Sequence, residues 1–324
     1  MKILVTGGAG FIGSHFVKKA LSMNHSVVVL DNLSRGHKQA IPDSVLFFEE
    51  DLKNYDKIFE IIKNVKPDAI VHFAAFAYVG ESVGNPFMYY QNNVFGSLNL
   101  INAAVKNGVK RFIFSSTCSL YGNPDKIPIN EKTPENPINP YAKSKLMVEK
   151  ILEDYSNIYD FNYIALRYFN AAGTDLEGGF GESHDPETHL IPLVLQTALG
   201  QRNEIKILGD DYNTPDGTCV RDYIHVNDLA EAHLLALEYL SEKNNSDIIN
   251  LGTGNGYSVK EIINSACEIT KLDINYTVTG RREGDPAILV ADNKKAKEIL
   301  GWSCKHDLEE IISSAFCWFK NPKY

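Results

Sequence analysis

Lys2-Ile-Leu-Val-Thr-Gly-Gly-Ala-Gly-Phe-Ile-Gly-Ser-His15 is the stretch whose reading decides the fold. The apolar run from Lys2 to Thr6 reads as a strand buried on both faces, and the helical spacing that begins near Ile12 reads as the helix after it. Gly7, Gly10 and Gly13 fall at the junction. Without side chains, the chain turns tightly there and backbone N–H groups approach a pyrophosphate, whose charge the helix N-terminus favours. A glycine triplet alone is a weak signal; its place between a strand and a helix makes it specific. Asp31 closes the next apolar run. A carboxylate at that point accepts hydrogen bonds from adenosine ribose hydroxyls and repels a 2′-phosphate, which favours NAD over NADP. Arg35 is the one nearby group that would instead meet such a phosphate.

Outward from this unit the same rhythm repeats. Val27 to Leu30, Val45 to Phe48, Ala69 to Phe73, Arg111 to Phe114 and Tyr163 to Leu166 read as further strands. Ile12 to Met23, Tyr55 to Val65, Val94 to Lys106 and Tyr141 to Tyr155 read as helices between them. The alternation predicts an α/β fold, a Rossmann-type doubly wound parallel sheet with helices on both faces. After about Asn170 the rhythm breaks, with Gly173, Gly178, Gly179, Gly181 and Pro186 crowding one stretch. The expected division is therefore a dinucleotide-binding domain over 1–170, with 227–251 returning to it as helix and strand. A smaller C-terminal α/β substrate domain takes 171–226 and 252–324, with helices near Val259 and Leu308. Asp51-Leu52 and Phe73-Ala74-Ala75 end two strands and should line the cofactor crevice.

The chain of 324 residues is long enough for two domains, and 44% of it is hydrophobic. Its formal net charge is −9 and it holds no basic block, so no nucleic-acid partner is expected. Cys118, Cys219, Cys267, Cys304 and Cys317 are odd in number and lack C-x-x-C spacing, which points to reduced thiols in the cytoplasm and to no metal. Gly7, Gly8 and Gly10 interrupt the apolar run after Lys2, and no stretch of about 18 apolar residues follows, so neither a signal peptide nor a membrane span is expected.

Tyr141-Ala-Lys-Ser-Lys145 sets a phenol and an ammonium one helical turn apart on one face. Asn139 is placed to cap that helix, and Pro140 suits its first position. Upstream, Arg111-Phe-Ile-Phe-Ser-Ser-Thr117 reads as a strand ending in hydroxyls at the cofactor edge of the sheet. An alcohol that gives up hydride must also lose a proton, and free tyrosine has a pKa of about 10. Lys145 and a cationic nicotinamide would favour the phenolate, making Tyr141 the base, while Thr117 holds the reacting oxygen.

Over nearly its whole length the chain resembles the UDP-glucose 4-epimerase family of extended short-chain dehydrogenase/reductases. The resemblance is carried by Gly7-Gly-Ala-Gly-Phe-Ile-Gly13, Asp31-Asn-Leu-Ser-Arg-Gly36, His72-Phe-Ala-Ala75, Val79-Gly-Glu-Ser82, Ser115-Ser-Thr117, Tyr121-Gly122, Asn139-Pro-Tyr-Ala-Lys-Ser-Lys145, Arg167-Tyr-Phe-Asn170 and Asp216-Gly-Thr-Cys-Val-Arg-Asp-Tyr-Ile-His-Val226. It implies that Phe11, Ile12, Asn32, Leu33, Ser34, Gly36, Ala77, Asn92, Ser115, Tyr168 and Phe169 join the NAD site. It also implies that Asn170, His189, Leu190, Leu208, Arg221, Tyr223, Arg282, Asp285 and Leu289, with Thr117 and Tyr141, contact a UDP-sugar. A planar guanidinium suits diphosphate oxygens better than a lysine does. The implied reaction interconverts UDP-glucose and UDP-galactose through a transient 4-keto sugar, in a homodimer formed by the helices near Val94 and Tyr141.

Two positions depart from the family pattern. Ala77 replaces a lysine near the ribose. Leu289 replaces a tyrosine often found in members restricted to sugars without an N-acetyl group, which opens the reading to UDP-GlcNAc and UDP-GalNAc. Phe76-Ala-Tyr-Val-Gly-Glu-Ser82 is also similar to plant-type UDP-arabinose 4-epimerases, so UDP-xylose and UDP-arabinose remain alternatives. A 4,6-dehydratase would carry Asp-Glu where Cys118-Ser119 stand, and a non-catalytic NAD-binding regulator would lack Tyr141 or Lys145.

Overall fold

The computed structural model describes residues 1–282 and 285–324. Its strands are β1 (Lys2–Thr6), β2 (Ser26–Asp31), β3 (Leu46–Glu49), β4 (Ala69–His72), β5 (Arg111–Ser115), β6 (Asn162–Tyr168), β7 (Asn170–Ala172), β8 (Ile205–Leu208), β9 (Val220–Arg221), β10 (Tyr223–His225), β11 (Asp247–Leu251), β12 (Tyr257–Ser258), β13 (Tyr276–Thr279) and β14 (Ile288–Leu289). The helices are α1 (Phe11–Ser22), α2 (Tyr55–Val65), α3 (Val79–Gly84), α4 (Pro86–Tyr89), α5 (Gly96–Lys106), α6 (Pro140–Ile158), α7 (Leu190–Ala198), α8 (Val226–Lys243), α9 (Val259–Thr270), α10 (Lys294–Leu300) and α11 (Leu308–Lys320).

Seven strands form one parallel sheet in the order β3-β2-β1-β4-β5-β6-β11. The alternation of side chains along each strand fills two cores at once. Ile3, Val5, Val27, Val29 and Ile113 face α1, α8 and α10. Leu4, Val28, Leu30, Phe112 and Phe114 face α2, α5 and α6. The sheet thus has the doubly wound, Rossmann-type form, and its direction of winding changes between β1 and β4. That change leaves a crevice beyond the carboxyl ends of the two strands.

The sequence-predicted helix over Val94 to Lys106 begins later, at Gly96, because Tyr90–Phe95 forms a π-helical turn. The wider turn has no compositional marker, and such turns often occur at functional sites. The chain outside the large sheet adds a parallel pair, β7 with β10, a three-stranded sheet β12-β9-β14, and a pair β8 with β13. Helices α7, α9 and α11 close over a third core with Ile191, Val194, Ile262, Ile312 and Trp318. Capping boxes at Ser258 and Asp307 begin α9 and α11. No helix among the described residues is long and apolar enough to cross a membrane.

Candidate active site

The turn after β1 is closed by contacts that exclude a side chain. A Cβ on Gly7, whose φ is +72°, would stand 2.4 Å from the Ala74 nitrogen, and one on Gly13 would stand 2.2 Å from the Gly7 carbonyl oxygen. Both would force the backbone apart. The resulting crevice is lined by Gly7, Gly10, Asp31, Asn32, Ser34, Arg35, Gly36, Leu52, Phe73, Ala74, Ala75 and Asn92. Phe11 and Ile12 are half-buried at the start of α1, with Gly13 buried behind them. Leu33 has φ +56° and packs toward the core. Asp51 accepts from Asn32 Nδ2 at 3.0 Å, and Ala77 is exposed outside the lining.

The Asp31 carboxylate accepts the N–H of Ala9 at 3.0 Å and of Leu33 at 2.9 Å. Burial pushes its pKa up, against those two hydrogen bonds. A carboxylate has about four acceptor positions, so sites remain for ribose hydroxyls. Arg35 does not stand free for a 2′-phosphate. Its guanidinium meets Glu81 at 2.6 Å and the Asp185 carbonyl at 3.2 Å.

Tyr141 and Lys145 face the sheet from the first turns of α6. Asn139 Oδ1 accepts the Ala142 N–H at 2.9 Å, and Pro140 occupies the first turn. Thr117 follows β5, accepting the Ser119 N–H and donating to Ser119 Oγ, both at 3.1 Å. Lys145 Nζ donates to the Ser115 carbonyl at 2.7 Å and sits 4.9 Å over the Phe114 ring. Ser115 Oγ is hydrogen-bonded to the Tyr168 hydroxyl. Burial drives the Tyr141 phenol well above its usual range, with a hydrogen bond to Thr117 opposing it. Burial pulls Lys145 down to about 7, with Glu149 opposing. Without a bound nicotinamide, burial therefore holds the phenol in its protonated form.

Sequence reasoning missed the layer beneath. Tyr141, Lys145 and Glu149 share one face of α6, and Glu149 accepts from Arg167 Nε at 3.0 Å and from Ser116 Oγ at 2.5 Å. Arg167 also donates to the Tyr121 hydroxyl at 2.9 Å and pairs with Glu135. An acid four residues beyond Lys145 was the available signal. Asn93, on the π-helical turn, accepts the Phe76 N–H at 2.9 Å and donates to Ser144 Oγ at 3.0 Å, tying the crevice wall to α6.

The residues that the resemblance assigns to a sugar nucleotide are spread over the smaller sheets. Asn170 Nδ2 donates to the Asp222 carbonyl at 3.0 Å, and Arg221 pairs with Asp285 at 2.6 Å. Leu289 lies beside Arg221 in register and packs with Cys118, Tyr121 and Phe169, next to the Thr117 turn. Tyr223 is buried beside Asn170, Leu208 ends β8, and His189 and Leu190 begin α7. Arg282 is exposed; Glu283 and Gly284, which follow it, lie outside the described residues. Asp222, unnoticed in the sequence, is buried and accepts from Thr253 N–H, Thr253 Oγ, Gly254 N–H and Ala291 N–H at 2.7 to 3.2 Å.

Residues 3–252 match the model of the NAD dependent epimerase/dehydratase family. The chain belongs to that family. Its relatives include a UDP-glucose 4-epimerase of Lactobacillus helveticus, 47% identical, with 100% of this chain and 98% of that one covered. The crystal structure of UDP-glucose 4-epimerase from Brucella ovis in complex with NAD superimposes with a TM-score of 0.95 at 47% identity, covering 98% of each chain. The UDP-Glc/GlcNAc 4-epimerase of Campylobacter jejuni gives a TM-score of 0.87 at 44% identity, over 98% of this chain and 99% of that one.

In this family member the Glu149–Arg167 pair is almost fully withdrawn from water, with side chains 2% and 1% exposed. Removing one partner of such a pair is expected to cost about 3 kcal/mol, the low end of the usual range, because Glu135 stays beside Arg167. Urea unfolding of Glu149→Ala beside wild type measures this. An unshifted midpoint would show that the network carries no stability.

Proposed function

We propose that the protein interconverts UDP-glucose and UDP-galactose by 4-epimerisation, with NAD as its resident cofactor. The observation that carries this reading is Tyr141 and Lys145 one turn apart on α6, with Thr117 after β5 on the same sheet edge as the glycine turn after β1, in a member of an NAD-dependent epimerase family. Gly7, Gly10, Gly13 and Asp31 would hold the dinucleotide, since the turn leaves backbone N–H groups bare and Asp31 faces the crevice. When bound, NAD supplies a reversible hydride acceptor and a positive charge near the phenol. Thr117 orients the sugar 4-hydroxyl, and Tyr141 takes its proton as C4 gives up hydride; once the 4-keto sugar has turned over, so that hydride would return to the opposite face of C4, Tyr141 gives the proton back to the ketone oxygen. Lys145 lowers the cost of the phenolate. The division of labour follows the chain: 1–170 with 227–251 does the redox chemistry, and 171–226 with 252–324 anchors the nucleotide. A firm hold on the diphosphate, a role we assign to Arg221, leaves the sugar free to turn over.

A 4,6-dehydratase needs an acid and a base beside the threonine. Cys118, buried with its thiol pushed up to about 12, supplies neither near neutral pH. A cytoplasmic location suits the five free thiols and would be read by cell fractionation.

The apolar strip of Val94, Pro137, Leu146, Met147 and Ile151 on the outer side of α6 favours a homodimer. Met147 there is 44% exposed. Sedimentation of wild type should give a dimer that Met147→Glu weakens; a wild-type monomer would refute it.

Tyr141→Phe should retain the fold and bound NAD and lose about 10² to 10⁴ in turnover of UDP-galactose. Near-normal turnover would mean that another group is the base. Leu289 sits against the Thr117 turn, and leucine is smaller than tyrosine, so UDP-GlcNAc is expected to be a substrate beside UDP-glucose. Leu289→Tyr should cut kcat/KM for UDP-GlcNAc selectively, by roughly tenfold to a hundredfold, since overpacking costs about 1–3 kcal/mol. Equal losses for both sugars would place the size limit elsewhere.

A further inference from the structure

The loop from β7 to α7 carries Glu182, His184, Glu187 and His189, whose side chains turn toward one another. His184 Nδ1 stands 3.2 Å from Glu182 Oε1 and 3.6 Å from Glu187 Oε2. His189 Nδ1 stands 2.7 Å from Glu182 Oε1 and 3.2 Å from Glu187 Oε1. One ligand atom from each residue fits within 4.8 Å of the other three. In a tetrahedral zinc site with bonds of about 2.0–2.1 Å, neighbouring ligand atoms are roughly 3.3–3.4 Å apart.

Three of the four side chains are withdrawn from water, which separates this cluster from an ordinary surface ion pair, while His189 is 44% exposed. The Glu182 and Glu187 side chains are only 3% and 4% exposed. Glu182 Oε1, His184 Nδ1 and Glu187 Oε2 are buried without a hydrogen bond, even though nitrogen and oxygen lie close. The four ligand atoms lie within 4.8 Å of one another, close enough for one cation to meet all of them. An unbonded buried carboxylate oxygen is costly unless a cation meets it.

The surroundings hold the four side chains in place. The N–H groups of Thr188 and His189 donate to Glu187 Oε1 at 2.7 and 2.8 Å, and Trp318 Nε1 donates to the Glu182 carbonyl at 2.8 Å. The Tyr78 ring packs edge-on against both imidazoles, at 5.8 and 6.3 Å between centroids.

We propose that Glu182, His184, Glu187 and His189 form a closed four-coordinate site for a divalent transition-metal ion, zinc foremost. Two carboxylates balance its charge, and two neutral imidazoles complete a tetrahedron of borderline ligands suited to zinc. With all four positions filled by the protein, the ion is structural. It fastens the loop beside Phe11 and Tyr78, near the start of α1. The sequence reading expected no metal because it looked to cysteine spacing; the signal was two histidines and two glutamates within one short loop. The inference does not depend on the proposed reaction.

The test uses the full chain with its bound NAD, stripped by dialysis against a chelator and titrated with zinc chloride against a chromophoric competitor. One zinc per chain is expected, with affinity lowered more than about a hundredfold in Glu182→Gln and in His184→Asn, since even loss of an outer-shell partner costs about 10–100-fold. Cobalt(II) in place of zinc should give the intense visible bands of a tetrahedral site without a thiolate charge-transfer band. Failure of the folded wild type to take up zinc, unchanged affinity in a folded His184→Asn variant, or a thiolate band would each overturn the proposal. Circular dichroism identifies which variants are folded, and His184→Asn is the variant that decides if Glu182→Gln does not fold.

Discussion

Ile3 and Val5 point into one core and Leu4 into the other, and the same two-sided burial runs through β2, β4, β5 and β6. A strand buried on both faces cannot be paired by a tight hairpin without exposing a face, so each is returned by a helix and all run parallel. Every carboxyl end then lies along one edge. The glycine turn after β1, Asp31 at the end of β2, Phe73 and Ala74 after β4 and Thr117 after β5 share that edge for this single reason.

Along that edge, helix α6 is held at a fixed height by polar contacts that would be expensive to break. Lys145 reaches the Ser115 carbonyl, and Glu149 grips Arg167 and Ser116 on the two adjoining strands. Withdrawal from water makes such contacts geometrically demanding, because a small slip leaves a charge unpaired. The same withdrawal raises the Tyr141 phenol and lowers the Lys145 amine. Rigidity and proton affinity are two results of one burial. On the opposite side of α6, Leu146, Met147 and Ile151 form a half-buried apolar strip flanked by Lys143 and Lys150.

Arg35 shows how a partner decides a charged residue's role. Its guanidinium was open to two readings in the sequence; Glu81, on a helix far along the chain, takes it. Leu289 is similar. Its place against Cys118 and Phe169 comes from the pairing of β14 with β9, which brings a residue near the end of the chain to the Thr117 turn.

Local chemistry was legible in the amino-acid order. The glycine spacing, the Asn139-Pro140 helix start, the Tyr141–Lys145 turn and the alternation of strand and helix depend on neighbours within a few residues, and they determined the fold class and the place of the reactive groups. What the order could not express are contacts between distant segments. The Glu149–Arg167 pair, the four hydrogen bonds to Asp222, the joining of Asn93 to Phe76 and Ser144, and the π-helical turn at Tyr90–Phe95 leave no periodic trace. The proton affinities of Tyr141 and Lys145 belong with them. Residue type sets a starting value, and only the packed interior, by removing water, decides how far and in which direction it moves.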